Sequence, residues 1–210
     1  MQDALDGVPA GDDWLHQSEY ERLQALKRPE RFRQYRVGHW LARTALSAHF
    51  GGDPRAYTLV DRRGLPPEVS GPAALSSLMY LSITHSGDWI AVAVSADRVG
   101  IDIEQRPRTH ALDQVESLLL AEGEAPGSID ADGLLMRWVA KEALVKRDCG
   151  EALPGALRAM KLLPATADAG HVVISASPEF YFGLASRAAG SVRWLSEPPE
   201  RVECSWCVAA

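Results

Sequence analysis

Residues 79–104 read Met79-Tyr80-Leu81-Ser82-Ile83-Thr84-His85-Ser86-Gly87-Asp88-Trp89-Ile90-Ala91-Val92-Ala93-Val94-Ser95-Ala96-Asp97-Arg98-Val99-Gly100-Ile101-Asp102-Ile103-Glu104. Residues 79–83 read as a strand, Ser86-Gly87-Asp88 as a turn and 89–95 as an apolar strand. Ala96-Asp97-Arg98 turns the chain again into a third strand at 99–104, and the three together predict a β-meander. In the third strand Val99, Ile101 and Ile103 share one face, and Asp102 and Glu104 share the other. Carboxylates two residues apart on a strand lie about 7 Å from each other, close enough to share one hard cation. The plainer alternative is a half-exposed strand with its polar face in water.

Working outward, the pattern before this stretch is mostly helical over 13–50, with Pro29 in the first turn of a second helix. Gly51-Gly52-Asp53-Pro54 ends it. A short strand is expected at 56–60 and a Gly/Pro-rich loop at 61–72, while residues 1–12 read as a loose leader. Beyond Glu104, Arg106-Pro107-Arg108 breaks the sheet. Helices are expected at about 110–122 and 131–148, then strands at 157–163, 171–176, 180–187, 191–195 and 202–208. Each half offers helical material followed by a small antiparallel sheet. The reading is an α+β fold of two similar lobes related by a pseudo-twofold, 1–104 and 105–210, although no internal repeat is visible.

The composition is that of an ordinary globular chain. Its 210 residues carry 22 basic and 28 acidic side chains, a net −6, with 46% apolar and 24% charged residues. These values exclude a disordered or collagen-like chain and one held to nucleic acid by general basic attraction. No apolar run approaches the roughly 20 residues a bilayer requires. The N-terminus lacks the basic and apolar regions of a signal peptide. Three cysteines are too few for a disulfide framework in a chain of this length. The expected setting is the cytoplasm, without a membrane or nucleic-acid partner. Cys204 and Cys207 form a C-x-x-C within a terminal strand; residues three apart there point to opposite faces, which argues against a zinc or redox pair.

Three further stretches carry candidate chemistry. In Leu134-Leu135-Met136-Arg137-Trp138-Val139-Ala140-Lys141-Glu142-Ala143-Leu144-Val145-Lys146, the residues Leu135, Trp138, Val139 and Val145 trace an apolar helical stripe, and Glu142 falls inside it. A carboxylate there needs a partner. Either Lys146 pairs with it at i, i+4, or Glu142 joins Asp102 and Glu104 around a cation, an oxygen-only set suited to Mg²⁺. At Ile83-Thr84-His85-Ser86-Gly87 a strand gives way to a turn, where His85 either caps the turn or meets an anion. Finally, Lys27, Arg28, Arg31, Arg33, Arg36 and Arg43 stand against Glu30 alone. Arg36, His39 and Arg43 share a helical face. Such a run is either a solvated face or, in an acidic chain, a binding surface for a phosphate-rich small ligand.

Thr84-His85-Ser86, Gly100-Ile101-Asp102-Ile103-Glu104 and Trp138-Val139-Ala140-Lys141-Glu142-Ala143-Leu144-Val145-Lys146, in that order, resemble the signature of 4′-phosphopantetheinyl transferases. The resemblance is to the larger, two-lobed (surfactin-synthetase-activating) type, which serves carrier proteins of polyketide, peptide and siderophore synthesis. It covers residues 82–146 well and residues 31–46 more weakly. It implies that coenzyme A binds between the lobes with Mg²⁺ on its pyrophosphate. A serine of an apo acyl or peptidyl carrier protein attacks the β-phosphorus, and 3′,5′-ADP leaves. By the same resemblance Asp102, Glu104 and Glu142 hold the metal. Glu142, or a water on the metal beside Glu104, takes the serine proton. Lys141 and Lys146 contact the phosphates, with Lys146 steadying the leaving group. Thr84 and His85 bind the coenzyme, His85 near the 3′-phosphate, and Arg31 lies near it too. His39 stands where the family carries an arginine, and Arg63 serves for the lysine of the family's Gly-Lys-Pro. One chain with two lobes implies a monomer.

Two rival functions come from other classes. One is a coenzyme-A- or carrier-binding homologue that has lost catalysis, for which a metal triad would be superfluous. The other is a Mg²⁺-dependent phosphohydrolase acting on nucleotides, which needs a positioned water rather than a docking surface for a protein.

Overall fold

A computed structural model describes residues 7–62, 64–72, 78–106, 116–117, 119–121, 127, 129–148, 154–166, 171–187, 192–195, 199 and 201–208. The elements are α1 (Gln17–Gln24), α2 (Pro29–Phe50), a 3₁₀ turn (Pro54–Ala56), β1 (Thr58–Arg62), β2 (Leu65–Ser70), β3 (Tyr80–Ser86), β4 (Trp89–Ser95), β5 (Val99–Gln105), α3 (Ala131–Arg147), α4 (Pro154–Ala159), β6 (Leu162–Pro164), β7 (Val172–Ala176), β8 (Phe180–Ser186) and β9 (Arg201–Val208). This is an α+β chain of a few helices and small antiparallel sheets. By its internal contacts it divides into two compact units, one ending at Val99 and one beginning at Gly100.

In the first unit, Pro29 opens α2 and Gly51, at φ 84°, closes it. Proline has no N–H to lose in a first turn, and glycine reaches positive φ without a Cβ clash. β1 pairs antiparallel with β2, and β3 with β4. The β3–β4 turn is Gly87-Asp88, Ser86 facing Trp89, with Gly87 at φ 53°. Ala42 and Leu46 of α2 pack with Tyr57, Leu59 and Leu81 into a buried core, joined by Ile83, Val92 and Val94. The alternation of β3 therefore aims Leu81, Ile83 and His85 to the α2 side and Ser82, Thr84 and Ser86 to the other.

In the second unit the sheet order is β5-β8-β7-β9-β6. β7 pairs antiparallel with both β8 and β9, and β9 with β6. Helix α3 begins at Asp130, whose side chain accepts from the Gly133 N–H at 2.8 Å. It lays Leu135, Val139, Ala140, Ala143 and Leu144 against Val172, Ile174, Tyr181 and Ala185. Gly183 lets the helix settle on β8: a Cβ there would stand 2.8 Å from Val139 Cγ1.

The structure corrects several expectations. The third run of the opening stretch does not complete a meander, because β5 pairs with β8 in another sheet. The loop expected over 61–72 contains β2, whose two prolines are tolerated because a two-stranded sheet leaves one side of each strand unpaired. Helix α4 occupies the start of the strand expected at 157–163, and residues 192–195 are not a strand. Residues 9–11 are held in place, as shown below. The helix expected at about 110–122 lies mostly outside the described residues.

Candidate functional site

In β5, Gly100, Asp102 and Glu104 share the face that meets α3. A Cβ on Gly100 would stand 2.0 Å from the Ala143 carbonyl oxygen and 2.3 Å from the Arg147 nitrogen, so strand and helix backbones touch here. Above that contact the side chains pair. Lys146 Nζ donates to Asp102 Oδ1 at 2.7 Å, and Trp138 Nε1 donates to Glu104 Oε1 at 3.1 Å. Trp138, Glu142 and Lys146 recur every four residues and share one helical face. Asp102 is only 5% exposed, so the polar face of this strand is not simply wetted.

Glu142 sits in the middle of this ladder. Burial pushes its carboxyl above the usual carboxylate range, the charge of Asp102 pushes it further, Lys146 draws it back, and Glu104 adds to the rise. Three carboxylates thus feel one another across the strand–helix contact. Oxygen-only donors that repel one another suit a hard divalent cation such as Mg²⁺. As placed, however, Asp102 meets Lys146 and Glu104 meets Trp138, and among the described residues no three His, Cys, Asp or Glu side chains form a ready metal cage.

Lys141 departs from expectation. It is 0% exposed, and its ammonium donates to the carbonyls of Leu119 (2.6 Å) and Leu157 (2.7 Å). An ammonium spent on two backbone acceptors inside the fold braces α3 and is not placed to contact a phosphate.

In the first unit, Arg31 and His85, 54 positions apart, come together. Arg31 Nη1 lies 2.9 Å from His85 Nδ1 and is also in contact with Nε2. Gln34 fixes the adjoining turn by donating to the Gly87 carbonyl at 2.8 Å. The result is a guanidinium beside a half-buried imidazole where α2 meets the end of β3, a place where an anion can be received. Thr84 is buried on the opposite face of β3. Arg63 lies outside the described residues.

The shared face of Arg36, His39 and Arg43 is structural, which corrects its reading as a phosphate-binding surface. Arg36 pairs with Asp12 at 2.9 Å and donates to the carbonyls of Pro9, Ala10 and Gly11, so the segment expected to be loose is bound. His39 is 5% exposed, with Nδ1 2.6 Å from Glu19 Oε1. Arg43 grips both oxygens of Glu19, at 2.9 and 2.6 Å. Burial alone would raise the Glu19 carboxyl; hydrogen bonds from His39 and Arg43, with their charge, outweigh it and lower it. The sequence reading missed Glu19. Its only signal was its place three residues after His16 at a helix start, where its side chain accepts from the His16 N–H at 2.8 Å.

Cys204 and Cys207 face Ile174 and Leu163 across β9 and are not joined to each other. No helix among the described residues is long and apolar enough to cross a membrane.

Carboxylates clustered beside a lysine are groups with which a divalent cation and a phosphate can interact. Over 70 residues, 33% of its length, the chain is 37% identical to a 4′-phosphopantetheinyl transferase of Bacillus subtilis. The match spans 29% of that relative's length, and no family model matches the chain.

Proposed function

We propose that this protein transfers the 4′-phosphopantetheine group of coenzyme A to a serine of an apo acyl or peptidyl carrier protein, releasing 3′,5′-ADP. This is holo-[acyl-carrier-protein] synthase activity, in an enzyme of the larger, two-lobed type that works in the cytoplasm as a monomer. The observation that carries the reading is the ladder of Asp102, Glu104, Glu142 and Lys146 across β5 and α3. The partial identity to a phosphopantetheinyl transferase supports it.

Asp102, Glu104 and Glu142 would hold Mg²⁺, which when bound supplies charge neutralisation on the pyrophosphate of coenzyme A. Glu142, or a water beside Glu104, takes the proton of the attacking serine. Lys146 has an ammonium already directed to this face; it binds the phosphates and stabilises the charge growing on the leaving 3′,5′-ADP. Trp138 orients Glu104 through its indole N–H. Arg31 and His85 bind the 3′-phosphate, and Arg63 adds a contact to the coenzyme.

The test incubates the protein with coenzyme A, Mg²⁺ and an apo carrier protein and follows the carrier's mass. A gain of one phosphopantetheine with release of 3′,5′-ADP is expected. Free phosphate without carrier modification would favour a phosphohydrolase, and binding alone an inactive homologue. In Glu142→Gln, which keeps shape but loses charge and basicity, turnover should fall about 10²-fold or more. Coenzyme A binding should fall far less. Wild-type turnover with a lowered melting temperature would return Glu142 to a purely structural part. Arg31→Ala should weaken coenzyme A about tenfold, the scale of one charge-assisted hydrogen bond, and 3′-dephospho-coenzyme A much less. Equal loss for both ligands would move Arg31 away from the 3′-phosphate.

A further inference from the structure

The ladder is pinned at one end by the Gly100 contact. At the other end stands Arg106, the residue after β5. Its backbone N–H donates to the Glu179 carbonyl at 2.7 Å. Its guanidinium pairs with Asp132 Oδ2 at 2.6 Å, approaches the Ser177 carbonyl at 3.4 Å and lies 4.4 Å above the Tyr181 ring centre. Arg106 therefore joins the end of the acidic strand to the β7–β8 turn, to a buried core ring and to the first turn of α3.

Among the described residues, β5 pairs with β8. Its two ends are tied to α3 by the backbone contact at Gly100 and by the Arg106–Asp132 pair. Asp132 lies on the same helix as Trp138 and Glu142, and a helix moves as a stiff body, so fixing its first turn to Arg106 fixes those side chains relative to Glu104. An exposed ion pair contributes little to stability. What the planar guanidinium adds is direction, because it forks to carboxylate and carbonyl while stacking on an aromatic face, and lysine cannot do all of this.

We infer that Arg106 is a positioning residue for Glu104: by clamping the end of β5 to the start of α3, it holds Glu104 on the indole N–H of Trp138 and sets the spacing between Glu104 and Glu142. The inference rests on the transfer reading for its catalytic consequence, but the clamp itself can be read without any turnover.

The primary readout is the Trp138 indole N–H resonance of the metal-free protein, identified by its loss in Trp138→Phe. In Arg106→Met it should shift and exchange faster with solvent. In Asp132→Asn, an exposed change that leaves the Tyr181 stacking intact, it should shift in the same direction by less. Arg106→Lys should behave more like Arg106→Met than like wild type. With Mg²⁺, coenzyme A and apo carrier protein, Arg106→Met should need about tenfold more Mg²⁺ for half-maximal transfer, the lower end of what removing the support of a metal-binding carboxylate costs. The KM for coenzyme A should stay within about twofold of wild type on the same principle. An unshifted indole resonance in both Arg106→Met and Asp132→Asn would overturn the clamp, as would a shift accompanied by wild-type Mg²⁺ dependence. If the wild-type protein transfers nothing, the transfer reading fails while the indole signal still decides whether Arg106 positions Glu104. Should Arg106→Met fail to fold, Asp132→Asn carries the test.

Discussion

Replacing Gly100 by alanine should reduce carrier-protein modification about 10²-fold, the scale set by misplacing reacting groups by about 1 Å. The added methyl would meet the Ala143 oxygen and the Arg147 nitrogen at 2.0 and 2.3 Å, both far inside van der Waals contact. Those are backbone atoms in the middle and last turn of α3, and no side-chain rotation relieves them. The strand must lift from the helix, carrying Asp102 and Glu104 away from Lys146, Glu142 and Trp138. Overpacking of this kind costs about 1–3 kcal/mol. For a chain of this size that lowers the melting temperature by about 2–4 °C per kcal/mol. The two effects differ in scale: at 25 °C most molecules stay folded, yet turnover collapses. Gly38→Ala is the milder comparison, because its methyl would meet side-chain carbons rather than backbone, Ile83 Cγ2 at 2.9 Å and Ile90 Cγ2 at 3.7 Å. Full activity in Gly100→Ala would mean that the touching backbones do not set the site.

Gly100 also shows how far local pattern reaches. Alternation over 99–104 marked β5 and its acidic face, and the 3.6-residue pattern marked α3 with Glu142 on an inward stripe. Both signals are local, and both elements formed where expected. What alternation lacks is the partner of a strand. β5 follows β4 after a tight turn, as a meander strand would, yet it pairs with β8. That choice depends on residues eighty positions away. Prolines misled at 66–67 for a related reason: they exclude a central strand, but whether a strand is central is itself a tertiary fact. In the basic helix, charge pattern placed Arg36, His39 and Arg43 on one face but left open what that face meets. Glu19, Asp12 and three carbonyls neutralise it, leaving Arg31 beside His85 on another side.

Lys141 gives the second large effect, and here stability rather than turnover should respond. A single apolar stripe on α3 would leave Lys141 at the edge, free to reach a phosphate. The helix is instead buried around much of its circumference, with Leu134, Val139, Ala140, Lys141, Ala143, Leu144 and Val145 all inside. The ammonium answers by donating to the carbonyls of Leu119 and Leu157. Lys141→Met keeps most of the stem volume and removes the donor. Relief from desolvating a charge offsets part of the loss, but two carbonyls each lose a charged donor, at about 1–3 kcal/mol each. We therefore expect a net destabilisation of about 2–4 kcal/mol, a melting temperature about 5–15 °C lower. At a temperature where the variant is folded, the KM for coenzyme A should remain near wild type, because the ammonium is held on two backbone carbonyls. A phosphate-contacting lysine would give the opposite pattern, with an unchanged melting temperature and a KM about tenfold higher. Melting curves and coenzyme A titrations on the same preparation distinguish the two, and the second pattern would show that Lys141 leaves its carbonyls to meet the substrate.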